Sequence, residues 1–466
     1  MARGARGRGW RAGLAALLLG CASGAPPVTL PATTPIPSRL ILISAAGLDA
    51  AVLESAAAEM PALSALAAGG AFARRVVGVA PASTYPAHAT LLTGASPATH
   101  GIVADRRLGE RGVRRAPYTH ASHLRVATLW QRVEERGGSV ASLDWPSTRG
   151  AAIARVLPDG SPLPGASWIE QLEGAATPSL RAFVEEHGGE DPDASFPGPA
   201  RDAILAALAC QLLTGEAPPD LLLLRLAGTA PALARSGPGS SDVARAFAEL
   251  DRRVAGLLDC LGDADRLASS VIAVVGDHGI APAHTAIATN VALMRAGLIA
   301  ADEAGIASWR AIARANGGSA FVYARDESAA VRARIALEEA ARETRAFRVV
   351  SAEEMIRHGA DPEAWFGLEA EPGFVFGQAF RGETLRASDR RGVGGYLPDR
   401  PEMDTALVVW GGVIRPGLHI PRMSLADVAP TLALVLGVEL DPGEGRALVG
   451  VLASTPPPSA APEAGR

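Results

Sequence analysis

The sequence predicts an α/β sandwich with a mostly parallel central sheet flanked by helices. Three observations carry that expectation. Short, continuously apolar runs recur along the chain, as strands buried on both faces require. Stretches with helical spacing alternate with them. Several runs end in small or polar residues, the pattern expected where a site lies at the carboxyl ends of parallel strands.

Ahead of the body stands an export signal. MARGARGRGWR carries Arg3, Arg6, Arg8 and Arg11, and AGLAALLLG follows as an apolar run shorter than the ~20 residues that span a bilayer. Leu18-Leu19-Gly20-Cys21 then resembles the bacterial lipobox, which implies cleavage and lipidation at Cys21. The alternative is an ordinary signal peptide with an incidental cysteine. Residues 1–20 read as signal peptide and 21–37, rich in Pro, Ala and Thr, as a disordered tether. The expected location is the bacterial cell envelope, exported and lipid-anchored on a periplasmic or extracellular face. The membrane is then met through the anchor alone.

The body opens with the buried run Arg39–Ser44, followed by helical spacing from Ala50 to Ala68. Further buried strands are expected over Ser139–Leu143, Asp220–Leu224 and Val271–Val275, with a clear helix at Ser241–Leu261. After Gly279 the texture changes to shorter elements and a charged helix near Glu327–Arg345. Residues 285–392 therefore read as an inserted cap subdomain within a core of 38–284 and 393–450. Thr405–Trp410 returns to a core strand, Ser424–Leu436 closes the body, and 451–466 is a disordered tail.

Composition excludes several functions. The net charge of -5 and a pI near 6.0 supply no basic field for a nucleic-acid polymer. There is no lysine, so Schiff-base chemistry and a P-loop lysine are excluded. The cysteines are Cys21, Cys210 and Cys260, with no CxxC pair to hold a structural zinc. Cys210 and Cys260 lie in helix-like stretches and read as two buried free thiols. A disulfide would suit an exported protein, but only with Cα atoms within ~7 Å.

Five ordered segments carry the chemistry. Pro81-Ala82-Ser83-Thr84-Tyr85-Pro86-Ala87-His88 is the most specific. Thr99-His100-Gly101, Asp144-Trp145-Pro146, Gly276-Asp277-His278-Gly279 and Gly395-Tyr396-Leu397-Pro398-Asp399 follow. Over roughly residues 38–450 the chain resembles the nucleotide pyrophosphatase/phosphodiesterase branch of the alkaline phosphatase superfamily. The resemblance implies a two-zinc site in which the Thr84 hydroxyl attacks phosphorus, with Tyr85 flanking the cleft. Two metals activate such a nucleophile and neutralise the phosphoryl oxygens.

Carried over residue by residue, the pattern is depleted. Of six ligand positions, Asp277 and His278 are kept, whereas Ala46, Ala230, Ala234 and Gly394 stand where three carboxylates or imidazoles and a final His are expected. Asp49 is a distant substitute for the first Asp. Asp105 falls where the family has a phosphate-binding Asn, and a carboxylate there repels phosphate. His88 and His100 read as structural, and His284 and His419 as optional improvised ligands.

A catalytic zinc normally has three protein ligands plus water. The expected cofactor state is therefore no tightly bound metal, with one weak zinc at Asp277 and His278 as the exception. Thr84 then reads as a turn residue capping a helix. The expected function is a catalytically dead or severely impaired lipoprotein that binds an unknown ligand in the former cleft or acts as a scaffold. The alternatives are a weak single-metal phosphodiesterase or phosphatase, and a metal-free hydrolase group drawn from Ser83, Ser44, Asp277 and His278.

Overall fold

The structure is a computed structural model that describes residues 39–109, 114–160, 167–188, 198–303 and 305–453. The signal segment, Cys21, the tether and the tail from 454 lie outside the described residues.

The central sheet is built on β1 (Arg39–Ala45), β2 (Ala71–Val77), β3 (Val140–Leu143), β4 (Arg155–Leu157), β5 (Leu221–Leu226), β6 (Ser270–Gly276), β7 (Thr405–Gly411) and β8 (Leu418–Ile420). Their order is β8-β2-β7-β6-β1-β5-β3-β4, with the short strand Met423–Ser424 also paired to β2. β1 runs parallel to both β5 and β6, and β3 runs parallel to β5 and β4. Only β7 opposes its neighbours β6 and β2. This is the mostly parallel sheet the apolar runs predict.

Alternation along β1 sorts its side chains into two layers. Ile41 and Ile43 pack with the helices α2 (Pro61–Gly69), α4 (Pro199–Thr214) and α6 (Ser241–Asp263). Leu40 and Leu42 pack instead with α3 (Thr84–Thr93) and α8 (Val428–Leu436). The helical stretch from Ala50 is two helices, α1 (Ala50–Ser55) and α2, because Pro61 can only open a helix. Buried Asp251 of α6 accepts from the Ala62 and Leu63 amides at 3.1 and 2.8 Å, so α6 satisfies the start of α2.

Cys210 of α4 and Cys260 of α6 form a disulfide, which corrects the expectation of two buried free thiols. The two helices lie side by side, and packing brings the Cα atoms to 6.1 Å, within bridging reach. Both cysteines are half-buried.

Beyond β6 a second hydrophobic core forms. Strands Ala311–Ala315, Ser319–Ala324, Phe366–Ala370 and Phe347–Val350 make an antiparallel sheet in that order, with α7 (Glu327–Thr344) packed on it. A smaller sheet is centred on Ala281–Ile287, which starts just after Gly279, where the change of texture is expected, and four residues ahead of the boundary read at 285. No helix among the described residues is long and apolar enough to cross a membrane.

Candidate active site

The motif residues meet at the carboxyl ends of β1, β5 and β6, where parallel strands release their chains. Ser83 takes the N-cap position of α3 and Thr84 begins the helix. Thr84 is therefore not the cap that the sequence suggested. Gly94 closes α3 in the left-handed conformation at φ +68°, as an αL C-cap requires. From Pro81 to Ala95, Thr84 alone is not buried.

Asp277 and His278 leave β6 beside it. Thr84 Oγ1 lies 3.4 Å from His278 Nε2. His278 Nδ1 donates to the Gly279 carbonyl at 3.1 Å. One oxygen of Asp277 accepts from the Gly47 and His278 amides at 3.0 and 2.8 Å, and the other lies 3.7 Å from His278 Nε2. Burial pushes the Asp277 carboxyl up, but His278, His88 and the Gly47 amide outweigh it and hold the group below its usual range.

The four depleted positions carry no side-chain donor or acceptor atom. Ala46 gives its carbonyl to the Thr229 hydroxyl at 2.6 Å. Ala230 opens α5 (Ala230–Ser236), and the Ala234 carbonyl accepts from the Arg391 amide at 2.8 Å. At Gly394 a Cβ would stand 2.6 Å from His278 Nδ1. The His278 ring occupies the space that a side chain at 394 would enter. Among the described residues, no group of three or more His, Cys, Asp or Glu side chains is placed to hold a metal ion.

Other residues fall into supporting places. Asp105 accepts from the Tyr85 amide at 3.0 Å, capping the first turn of α3. Asp49 caps α1 through the Val52 amide at 2.7 Å and does not reach the cleft group. Ser44 donates to His88 Nε2 at 2.8 Å while His88 Nδ1 donates to the Thr84 carbonyl at 2.7 Å. Both are fully buried, and burial holds the His88 pKa down to about 4. Ser44 thus belongs to a structural pair and not to a hydrolase group with His278. His100 is likewise buried, its pKa held by burial at about 3. It accepts the Ile102 amide on Nδ1 at 3.1 Å and contacts the Thr90 hydroxyl through Nε2 at 3.1 Å. His284 bonds its neighbour Thr285, and His419 sits on the edge strand β8 beside Phe72.

Sequence reasoning missed a buried charge network under the cleft. Arg225 of β5 stands in register with Ser44 of β1 and pairs with Asp144 at 3.3 Å. Arg201 of α4 pairs with the other Asp144 oxygen. Burial alone would pull Arg225 down, yet Asp144, Asp159 and Asp277 together hold it above its usual value. Tyr85 donates its hydroxyl to Asp159, whose pKa burial raises to about 6. Asp202 accepts the Ala227 and Gly228 amides at 3.0 and 2.8 Å, and burial raises it to about 7. Asp144 itself holds a left-handed backbone at φ +59°, a conformation Asp tolerates better than most residues. The signal was legible: Leu221-Leu222-Leu223-Leu224-Arg225-Leu226 places a guanidinium inside a buried strand, and such a charge demands carboxylates.

The site thus consists of a threonine at the start of α3 and an Asp-His pair at the carboxyl end of β6, on a mostly parallel sheet. The profile of the type I phosphodiesterase / nucleotide pyrophosphatase family matches residues 40–391, and the chain belongs to that family. Human ectonucleotide pyrophosphatase/phosphodiesterase 5 is similar in fold, with a TM-score of 0.65 at 17% identity, covering 89% of this chain and 100% of that one. The murine counterpart gives a TM-score of 0.65 at 18% identity with the same coverage. An inactive murine variant in complex with AMP gives 0.64 at 17% identity, again over 89% and 100% of the two chains. No curated protein matches the chain.

Proposed function

We propose that this protein is an exported, lipid-anchored member of the family that has lost its phosphodiesterase chemistry and uses the former cleft, or the region of residues 285–392 read as a cap, to bind a ligand or partner. The observation that carries the reading is the donor set. Ala46, Ala230, Ala234 and Gly394 offer no side-chain lone pair, so the residues present do not fit a zinc pair. The 2.6 Å approach of a 394 Cβ to His278 supports it, because the His278 ring would have to move before a side chain at 394 could enter. Arg225 supports it as well, since a buried guanidinium supplies cationic charge among these carboxylates without a metal.

The Cys210–Cys260 disulfide supports export, because such bonds persist in oxidising compartments. The AMP-bound murine relative motivates testing nucleotides as ligands of the cleft. A second reading, a weak single-metal phosphodiesterase, is favoured by the convergence of Thr84, Asp277 and His278.

The deciding experiment is elemental analysis of protein purified without chelators, together with hydrolysis of an aryl phosphodiester. Well under two zinc per chain and no Thr84-dependent turnover are expected. Removing electrostatic stabilisation worth ~3–4 kcal/mol per donor costs several powers of ten in rate. Two tightly held ions, or brisk turnover that Thr84→Ala stops, would overturn the reading. Zinc-dependent activity only in a variant carrying Ala46→Asp, Ala230→Asp, Ala234→His and Gly394→His would support it.

A further inference from the structure

We propose that Thr84 and His278 form a metal-independent nucleophile and base that transfers acyl groups from neutral carboxylic esters. The proposal rests on the reading above in one respect: no zinc pair holds these two side chains.

The geometry assigns the roles. The Gly279 carbonyl can only accept, so His278 carries its proton on Nδ1 and turns the Nε2 lone pair toward Thr84. The 3.4 Å separation is long, as such contacts often are before a substrate binds. A proton taken up on Nε2 faces an Asp277 oxygen 3.7 Å away, so the imidazolium formed meets a carboxylate that two backbone amides already hold in place. The ring can lie here because residue 394 is glycine. Thr84 and His278 are also half-buried points in buried surroundings, each being the one residue not buried in Pro81–Ala95 and Val271–Gly279 respectively. Ser44 and His88, the other hydroxyl–imidazole pair, are fully buried and offer no entry to a substrate.

Charge selects the substrate. A phosphodiester would bring its anion against Asp105 at the start of α3 and against Asp277, with no metal to offset either. A carboxylic ester is neutral and develops negative charge only in the transition state. The Thr84 N–H lies in the first turn of α3, where amide groups have no intrahelical partner and the helix dipole favours negative charge.

The steps balance without a further reagent. Thr84 Oγ1 attacks the ester carbonyl carbon and its proton passes to His278 Nε2. The tetrahedral adduct collapses, the bond from carbon to the alcohol oxygen breaks, and His278 returns the proton to the leaving alkoxide. Water then attacks the Thr84 acyl ester, giving its proton to His278. The bond from carbon to Thr84 Oγ1 breaks and the proton returns to Thr84. The net reaction is ester plus water to acid plus alcohol.

The probe is p-nitrophenyl acetate, applied to the full chain with and without EDTA. The readouts are released p-nitrophenol and peptide mass spectrometry of the segment containing Thr84. One acetyl group on Thr84 is expected, unchanged by EDTA, absent in Thr84→Ala and retained in Thr84→Ser. Loss of general-base assistance in His278→Gln should slow its formation ~10²–10⁴-fold. Absence of the label from both wild type and Thr84→Ser, or its formation at an unchanged rate in His278→Gln, would overturn the proposal while leaving the lost-zinc reading standing. A Thr84 label that EDTA abolishes and zinc restores would overturn both.

Discussion

Replacing Arg225 by methionine tests whether a guanidinium supplies the cationic charge beneath the cleft. Methionine keeps much of the side-chain length and removes the charge. In the folded protein Arg225 pairs with Asp144 at 3.3 Å and also holds down the pKa values of the buried Asp159 and Asp202. Breaking a buried pair by removing one partner costs ~3–5 kcal/mol, and here Asp144 would keep only Arg201 while Asp159 and Asp277 would lose the cation they share. At ~2.1 cal/mol/K per residue over roughly 400 described residues, the unfolding entropy is ~0.8 kcal/mol/K, so Tm should fall by about 4–6 °C.

The loss should also depend on pH. Asp159 and Asp202 have pKa values raised to about 6 and about 7, so their contribution to stability is full below their unfolded values and is lost as pH rises through the folded ones. Without Arg225 those values rise further. The gap between wild type and Arg225→Met should therefore be wider at pH 8 than at pH 5. Thermal unfolding followed by far-ultraviolet circular dichroism at both pH values measures it. A variant that unfolds at the wild-type temperature at both would refute the reasoning and point to another cation among the carboxylates.

Burial of His100 with a pKa of about 3 has the opposite sign: its stability is present above an unfolded value near 6.5 and is lost as pH falls toward 3. His100→Gln should flatten the acid limb of stability against pH, measured by urea unfolding between pH 4 and 7, whereas an unchanged limb would mean that His100 is not the group protonated. Removing the Cys210–Cys260 bridge, which closes a loop with a sequence separation of 50, should cost ~4 kcal/mol through unfolded-state entropy. Unfolding of Cys210→Ala/Cys260→Ala beside the oxidised protein checks that value. Cys21→Ser should abolish fatty-acid labelling and membrane fractionation, and a variant that labels like the wild type would dismiss the lipid anchor.

The sheet was legible because its strands are continuous apolar runs of strand length, and the run Asp220–Leu224 needed only a shift of one or two residues to become Leu221–Leu226. Pro61 divided a helix that hydrophobic spacing alone had left whole. The pairing of Cys210 with Cys260 was hidden because it depends on two helices lying side by side, which periodicity does not encode. The same holds at the site. Thr84, Asp277 and His278 were found from local motifs, but their mutual distances follow from the packing of α3 against the end of β6. Asp159 follows β4, whereas Arg201 and Asp202 are neighbours on α4, and the two segments converge only around Asp144 and Arg225, so no short stretch of sequence announces the network.

Ala46, Asp277, His278 and Gly394 lie at strand tips or in connecting loops, and Ala230 and Ala234 lie on the short helix α5, while the two interleaved layers on β1 close without a bound ion. Cofactor and folding are thereby uncoupled. In a zinc finger the ion is part of the folding free energy, so a chelator unfolds the domain. Here the scaffold keeps its cooperative core whether or not anything is bound above it. Chelation should leave its melting curve unmoved, and substitutions at the rim can accumulate without selection against misfolding.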